Sequence, residues 1–265
     1  MNPFWSRVLV IVVGLPVALE LVWLGGWWLF VLAAAVALLA LHELFTIARP
    51  LRPLVPAGYG GAFLALLGAR LGGVGWMIAG FFSTFALAFL LKGVAQTRQS
   101  LAVAVSTTVF GAGWIAIGLA YIMFLRGIPE HGQLAVFTVV IAVFAADTAA
   151  YVVGALVGRH RLAPVLSPGK TWEGLAAGTA VALLVPFFAL YHQHFLDGWR
   201  SLVLGVAIAI SAPLGDLFES ALKRDLKVKD SGRFLLGHGG MLDRLDALLF
   251  ASVAAFYVLV AFGRA

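Results

Sequence analysis

Long apolar runs, separated by short charged loops, follow one another along the whole chain. Because a helix needs about 20 apolar residues to cross the hydrocarbon core of a bilayer, we expect each run to form a transmembrane helix. The pattern predicts an all-α, polytopic integral membrane protein that forms a single membrane domain over residues 1–265. The nine predicted helices lie at about residues 7–24, 26–48, 54–69, 74–92, 101–125, 133–157, 172–192, 200–222 and 243–263.

Composition supports the membrane assignment and excludes several kinds of site. Hydrophobic residues make up 62% of the chain, charged residues only 11%, and the mean hydropathy is +1.02. The chain has no cysteine, so disulfides, thiolate metal sites and a cysteine nucleophile are excluded. A net charge of +6 would point to nucleic acid in a soluble protein. Here membrane topology and anionic lipid headgroups account for it, so we expect a lipid bilayer and no nucleic acid as partner.

The basic residues predict how the protein is oriented. With nine crossings, 14 of the 18 lysines and arginines fall on the side of the N-terminus, and only four fall on the other side. Cytoplasmic loops carry an excess of lysine and arginine. We therefore expect a multi-pass protein of the cell (inner) membrane, with the N-terminus in the cytoplasm and the C-terminus outside. The third predicted helix is short and glycine-rich, so a partial span stays open there.

Charged residues are concentrated near the C-terminus, in residues 220–246. This stretch, SALKRDLKVKDSGRFLLGHGGMLDRLD, holds six of the 18 cationic and four of the 12 acidic side chains. Clusters of charge next to a bilayer usually mark function. The cations suit phosphate, the carboxylates suit a metal, and the glycines of residues 237–240 allow close backbone approach to a ligand. The combination indicates phosphoryl or nucleotidyl chemistry at a membrane face.

Acidic residues also lie at the end of the eighth predicted helix. Asp216 and Glu219 are three residues apart and share a helix face, with Lys223 and Arg224 about one turn further on. These acids could be structural or functional. For Glu219 we expect a structural role, in an ion pair with Lys223. Asp216 lies deeper in the helix, which favours a functional role.

A third polar group runs from the sixth predicted helix into the following loop. Asp147 lies near the middle of an apolar span, where an ionised carboxylate needs a partner or water, and Tyr151 shares its face. The loop reads Ser-Pro-Gly-Lys-Thr over residues 167–171 and precedes a helix, whose free N–H groups favour an anion. The match to a nucleotide-binding P-loop is weak. A phosphate-binding helix start and an ordinary helix start with a snorkelling lysine both remain open.

His42 and Glu43 form a smaller polar group near the cytoplasmic end of the second predicted helix. Interfacial placement and a functional role are equally compatible with them. Within the single domain, we expect residues 1–130 to serve as a scaffold for lipid access or dimer contacts. Residues 131–265 would then carry the catalytic helices and cytoplasmic loops.

The run from Ser220 to Asp246 resembles the signature of the phosphatidate cytidylyltransferase family, also called CDP-diacylglycerol synthases. Residues 147–174 are similar to that family as well, so the resemblance covers most of residues 140–250. Leu236 and Ala247 depart from the pattern, where a turn-former and a serine are usual, and they place loop geometry in question. The signature is matched at Ser220, Leu222, Lys223, Arg224, Lys229, Asp230, Gly232, Leu235, His238, Gly239, Gly240, Met241, Asp243, Arg244, Leu245 and Asp246.

The resemblance implies an enzyme that converts CTP and phosphatidate into CDP-diacylglycerol and pyrophosphate at the cytoplasmic face. It implies Mg²⁺ held by Asp216 and Asp243, with Asp246 as a further ligand or as a hydrogen-bond partner of a ligand, and a second cation is left open. His238 would orient a phosphate or assist the leaving pyrophosphate, and Asp147 would form a polar floor. The related enzymes also lead us to expect a homodimer. The remaining implied substrate-binding residues are Lys223, Arg224, Lys170, Ser167, Thr171, Lys229, Gly239, Gly240, Arg244 and Tyr151.

Two other functions remain as alternatives. A CTP-dependent lipid-alcohol kinase would use similar groups to transfer the γ-phosphate, and CDP rather than pyrophosphate would be its product. An ion-coupled transporter would use Asp147, Asp216 and Glu219 as an ion pathway. The transporter leaves the basic loop with its His-Gly-Gly sequence unexplained.

Overall fold

In a computed structural model of the chain, the structure describes residues 10–95, 100–191, 193, 195–232 and 239–265. These residues fall into two compact units. The first unit comprises residues 1–124 and 226–245, and the second comprises residues 125–225 and 246–265, as far as they are described. The second unit therefore contains the helices on both sides of the charged loop, whereas the loop itself packs within the first.

The first unit consists of apolar helices. A π-helical turn, Val10–Gly14, leads into α1 (Leu15–Leu24), and α2 (Gly26–Ile47) follows directly. Next come α3 (Val55–Ala95) and α4 (Leu101–Arg126), whose last two residues belong to the second unit. A 3₁₀ turn, Leu242–Arg244, is part of the returning loop.

Helix α3 is a helical hairpin rather than one straight rod. Its 41 residues are interrupted at Gly72 and Gly73, whose backbone angles are not helical. Gly73 has a φ of +70°, a conformation that glycine adopts without a steric penalty. Beyond the turn, Gly80 lies directly on the carbonyl group of Leu64, so the two arms pack closely. The division predicted between residues 69 and 74 is confirmed by this break.

Small residues bring the helices of the first unit together. A Cβ atom at Gly111 on α4 would lie 2.9 Å from the side chains of Leu44 and Phe45 on α2. Leu41 and Leu44 are buried in the same contact. Small side chains at such positions let apolar helices approach each other closely in membranes. Gly111 therefore permits close packing of α2 and α4 within one chain.

The second unit contains four helices and a short β-hairpin. Its helices are α5 (Gly132–Val157), α6 (Trp172–Tyr191), α7 (Gly198–Asp225) and α8 (Asp246–Ala261). Between α5 and α6, strand β1 (Arg161–Ala163) pairs antiparallel with β2 (Ser167–Thr171). Gly174 and Gly178 on α6 lie against the backbone carbonyl groups of α5, which sets these two helices in close contact.

The hairpin corrects the all-α prediction locally, since residues 167–171 were expected to form a loop. Backbone N–H and C=O groups need partners wherever water is scarce, and two short returning segments satisfy each other by pairing. Elsewhere the predicted apolar runs are helices. Six described helices are long and apolar enough to cross a membrane, and two shorter apolar helices, Val12–Leu24 and Asp246–Ala261, accompany them. The chain is thus a multi-pass membrane protein, and the count of nine crossings stays a prediction.

Candidate active site

Strand β2 delivers its polar residues to the start of α6. Thr171 is buried, and its hydroxyl accepts a hydrogen bond from the backbone N–H of Gly174 at 3.1 Å. This is the geometry of an N-cap residue, which satisfies one of the free N–H groups of the first helical turn. Thr171 thus caps the N-terminus of α6, and this fixes the position of the preceding Lys170 at the end of β2.

Glu173, in the first turn of α6, holds the other end of the hairpin. Its carboxylate accepts hydrogen bonds from the backbone N–H groups of Arg159 and His160, at 3.1 and 3.3 Å. The Nδ1 atom of His160 lies 2.7 Å from the same carboxylate. The hairpin is therefore attached to α6 at both ends, which restricts the position of Lys170.

Lys170 forms an ion pair with Asp216 of α7. The Nζ atom of Lys170 lies 2.5 Å from the Oδ2 atom of Asp216. The Lys170 side chain is 25% exposed to solvent and the Asp216 side chain is 34% exposed. The pair is therefore accessible to a ligand. The Oγ atom of Ser220, one turn further along α7, donates a long hydrogen bond of 3.4 Å to the second oxygen of Asp216. The structure thus joins two residues that the sequence places 46 positions apart.

The C-terminal part of α7 contributes further charges. Lys223 lies 3.4 Å from Glu219, which is almost completely buried, so the predicted intrahelical ion pair is confirmed. Arg224 is exposed, and its Nε atom donates a hydrogen bond of 3.3 Å to the carbonyl oxygen of Leu166 at the hairpin turn. The hairpin and the end of α7 therefore share one positively charged edge.

Asp246 begins α8 next to Asp216. A Cβ atom at Gly215 would collide with the backbone of Asp246, so only glycine at this position lets the two helices meet here. The Oδ1 atom of Asp246 accepts a hydrogen bond of 2.7 Å from the N–H group of Ala247. Asp246 and Asp216 interact electrostatically, and Glu219 lies beside Asp246.

Asp147 of α5 is a third aspartate that interacts electrostatically with Asp216 and Asp246. It also interacts electrostatically with Lys170. Asp147 also lines a small cavity bounded by α5, α6 and α7, with Thr179 and several small apolar residues on its other walls. Tyr151, one turn along α5, is exposed. The polar floor expected of Asp147 and the role of Tyr151 both stay predictions.

The glycine-rich loop of the first unit is organised around Asp243. The carboxylate of Asp243 accepts hydrogen bonds from the backbone N–H groups of Gly240, at 2.9 Å, and Ser231, at 3.4 Å. Gly239 has a φ of +87°, which favours glycine at this turn. Lys229 and Arg244 are exposed. His238 lies outside the described residues.

Glu43 is the residue that sequence reasoning left without a role. Its Oε2 atom accepts hydrogen bonds from the Ser231 hydroxyl, at 3.2 Å, and from the Leu242 N–H group, at 3.0 Å. The only signal in the sequence was an acid in an otherwise apolar span, beside His42. The Nδ1 atom of His42 lies 3.2 Å from the hydroxyl of Tyr59.

The two units hold different members of the predicted metal set. Asp216 and Asp246 are together in the second unit, and Asp243 belongs to the first. Across the described ranges, no group of three or more histidine, aspartate or glutamate side chains is arranged to hold a metal ion. Mg²⁺ in nucleotide-binding enzymes is commonly held by one or two carboxylates together with substrate phosphates. Asp216 and Asp246 fit that smaller requirement by their chemistry.

The second unit brings together side chains of the kinds that suit phosphate and a divalent cation. Lys170, Lys223 and Arg224 offer donors for phosphate oxygens, and the neighbouring carboxylates offer hard oxygen ligands. Such a combination serves reactions in which negatively charged groups must be brought together.

Comparison with known proteins agrees with this chemistry. The model of the cytidylyltransferase family matches residues 5–262. A phosphatidate cytidylyltransferase of Mycobacterium tuberculosis (strain H37Rv) is 36% identical over 268 residues, covering 94% of this chain and 81% of the relative. Another, from Staphylococcus haemolyticus, is 34% identical over 249 residues, covering 92% of this chain and 94% of the relative.

Proposed function

The chain belongs to the cytidylyltransferase family, and we propose that it transfers the cytidylyl group of CTP to phosphatidate. A phosphate oxygen of phosphatidate attacks the α-phosphorus of CTP and forms a new P–O bond. The bond from the α-phosphorus to the bridging oxygen breaks, and pyrophosphate leaves. The lipid phosphate is already ionised at neutral pH, so a chain without cysteine needs no side-chain nucleophile.

The observation that carries this proposal is the accessible ion pair between Lys170 and Asp216 beside Asp246. Two anions must approach each other in this reaction, so the barrier is largely electrostatic. A lysine paired with a carboxylate can change partner when a phosphate arrives, because both groups are partly exposed. Lys170 would then bind phosphate, and Asp216 would face a cation.

Other cations of the second unit support the same step. Lys223 and Arg224 lie on the C-terminal part of α7, and the guanidinium group of Arg224 favours bidentate contacts with phosphate oxygens. Ser167 and Thr171 flank Lys170 and complete the proposed substrate-binding segment. Asp147 and Tyr151 would limit the site on the side of α5. In the first unit, Lys229, Gly239, Gly240, Arg244 and His238 are proposed to contribute through the loop.

We propose Mg²⁺ as the cofactor, with Asp216 and Asp246 as its carboxylate ligands and Asp243 as a further ligand from the signature. When bound, the ion would neutralise charge on the phosphates and hold them in line. The number of ions is left open. Removing divalent cations with a chelator should abolish turnover, and added Mg²⁺ should restore it; full activity in the presence of chelator would contradict the proposal.

The decisive experiment follows radiolabelled CTP with purified protein, with and without phosphatidate and Mg²⁺. The proposal expects CDP-diacylglycerol and pyrophosphate in equal amounts, and only when phosphatidate is present. CDP as the product would identify a lipid-alcohol kinase instead. Ion flux in liposomes without any nucleotide product would favour a transporter.

We further propose nine crossings of the inner membrane, with the active site facing the cytoplasm. The absence of cysteine makes this testable with single introduced cysteines. A membrane-impermeant maleimide should label Ala265→Cys on intact spheroplasts and Arg49→Cys only after permeabilisation. Labelling of both positions from one side would contradict the proposed topology.

Finally, we propose a homodimer. The chain has a mass of 28.1 kDa, so native mass spectrometry after detergent removal should give twice that value. A species at the mass of one chain, in preparations that retain activity, would contradict the dimer.

A further inference from the structure

The charged loop of the first unit is held by a carboxylate from a distant helix. Glu43 lies on α2, is only 4% exposed, and contacts both described flanks of the loop. It accepts a hydrogen bond from Ser231 on the N-terminal flank and another from Leu242 on the C-terminal flank. One oxygen atom, Oε2, receives both bonds, so the two flanks are tied together at a single point.

Two glycines of the loop, Gly232 and Gly240, pack directly against the carboxylate of Glu43. A Cβ atom at Gly232 would lie 2.5 Å from Oε1 of Glu43, and one at Gly240 would lie 2.6 Å from Oε2. Both distances are far below van der Waals contact, so any larger residue would push the loop off Glu43. The requirement for glycine at these two positions therefore comes, at least in part, from Glu43.

Ser231 connects Glu43 to Asp243. The buried Ser231 donates its hydroxyl to Glu43 and its backbone N–H group to the carboxylate of Asp243. Asp243 in turn accepts the N–H group of Gly240, which lies against Glu43. Glu43 thus contacts both Ser231 and Gly240, whose backbone N–H groups bond the carboxylate of Asp243.

We propose that Glu43 is a positioning residue for the cytidylyl transfer, acting by holding the glycine-rich loop and, through Ser231, the carboxylate of Asp243. This inference rests on the proposed function, because the loop matters for turnover only if its residues serve that reaction. Glu43 does not itself touch substrate. Groups that orient a functional carboxylate typically contribute about 10- to 100-fold to activity.

Replacing Glu43 by glutamine separates hydrogen bonding from charge. The amide oxygen of glutamine can accept both bonds that Oε2 receives, and its NH₂ group would occupy the place of Oε1. Among the described residues, Oε1 has no hydrogen-bond partner. We therefore expect Glu43→Gln to retain kcat/KM for CTP within about threefold of the wild type, and Glu43→Ala to lose about 10- to 100-fold.

A double-mutant cycle tests the proposed connection. Ser231→Ala should lower kcat/KM by about 5- to 10-fold, and Glu43→Ala combined with Ser231→Ala should stay within about twofold of Glu43→Ala alone, because residues of one network are not additive. Fully multiplicative losses would overturn the proposal.

Hydrogen exchange measured by mass spectrometry gives a readout independent of activity. Glu43→Ala should accelerate exchange in peptides that cover residues 231–243, whereas Glu43→Gln should not. Leu41→Ala is the matched control, since Leu41 is completely buried one half-turn earlier on α2 and none of its contacts described here is with the loop. It should lower the thermal midpoint while leaving loop exchange and kcat/KM within about twofold.

The outcomes are distinguishable. Normal kcat/KM in Glu43→Ala, or a loss of activity without faster loop exchange, would overturn the positioning role. A wild-type protein that makes no CDP-diacylglycerol would overturn the proposed function, and with it the catalytic part of this inference. In that case the exchange data would still decide whether Glu43 holds the loop.

Discussion

Asp216 and Glu43 are both acids on apolar helices, and their surroundings are opposite in kind. Asp216 pairs with the side chain of Lys170 and keeps about a third of its exposure. Glu43 is buried and accepts its hydrogen bonds from a backbone N–H group and a serine hydroxyl. The first carboxylate has a partner that a ligand can replace, whereas the second has partners that belong to the fold.

The difference shows that the two compact units place their carboxylates in different surroundings. In the second unit, side-chain cations and carboxylates face one another and suit the binding of phosphate and metal. In the first unit, carboxylates are enclosed by the glycine-rich loop and determine its shape. Asp243 combines features of both cases, because it is a predicted metal ligand and its carboxylate accepts hydrogen bonds from the loop backbone.

The two largest effects are expected at Asp216 and Asp243, and the first test is Asp216→Asn. The amide cannot supply the negative charge that faces a cation, so kcat should fall by about 10³-fold with little change in thermal stability. The assay is CDP-diacylglycerol formation by purified protein. Asp197→Asn is the control, since Asp197 also pairs with a basic residue, Arg200 at 3.5 Å, but outside the site. Retention of more than a tenth of the activity in Asp216→Asn would contradict its role.

Asp243 sharpens the comparison further. If Asp243 is a metal ligand, Asp243→Ala should abolish Mg²⁺-dependent product formation in correctly folded protein. Asp243→Asn should then be nearly as inactive as Asp243→Ala, because asparagine lacks the charge. As a loop anchor alone, asparagine would restore most activity, since its carbonyl oxygen can accept the Gly240 N–H group. We expect the first pattern. Near-normal turnover in Asp243→Ala would refute the metal assignment.

Lys170→Ala should lower kcat/KM for CTP by about 10²-fold, because a fixed cation next to the phosphates is lost. Lys170→Arg keeps the charge but changes its geometry, so an intermediate loss is expected. Arg161→Ala, on the paired strand β1, serves as the control and should have little effect. Equal activities of Lys170→Ala and Arg161→Ala would show that Lys170 acts only as a surface charge.

The smallest effect is expected for His160→Ala. His160 lies 2.7 Å from Glu173, but its side chain is 78% exposed. Exposed ion pairs contribute little, and the two backbone bonds to Glu173 remain, so kcat should stay within about twofold of the wild type. A loss as large as that of Lys170→Ala would mean that the hairpin depends on this side chain.

The sequence predicted the helices well because the signal is local. An apolar run of membrane length reports its own structure, and the break near residue 70 was marked by the glycines that form it. The β-hairpin was missed because its pairing depends on two segments that carry no alternating pattern. Ser-Pro-Gly-Lys-Thr resembles a turn and a helix start more than a strand, and only the pairing with β1 made it one.

For the site, the sequence supplied the kinds of residue and the structure supplied their partners. The signature residues and the Glu219–Lys223 pair were readable, since helical spacing alone brings residues four apart together. The Lys170–Asp216 pair could not be predicted from the sequence, and neither could the contact between Glu43 and Ser231, which are 188 residues apart.

Membrane character, helix positions and the clustering of charged residues in one loop were thus determined by the amino-acid sequence itself, because each depends on residues that are close in the chain. Which carboxylate faces a lysine and which one anchors a loop was decided only by tertiary packing. The physical reason is that glycines such as Gly215 and Gly240 act by permitting contact with distant groups, and those groups are identified only once the helices have assembled.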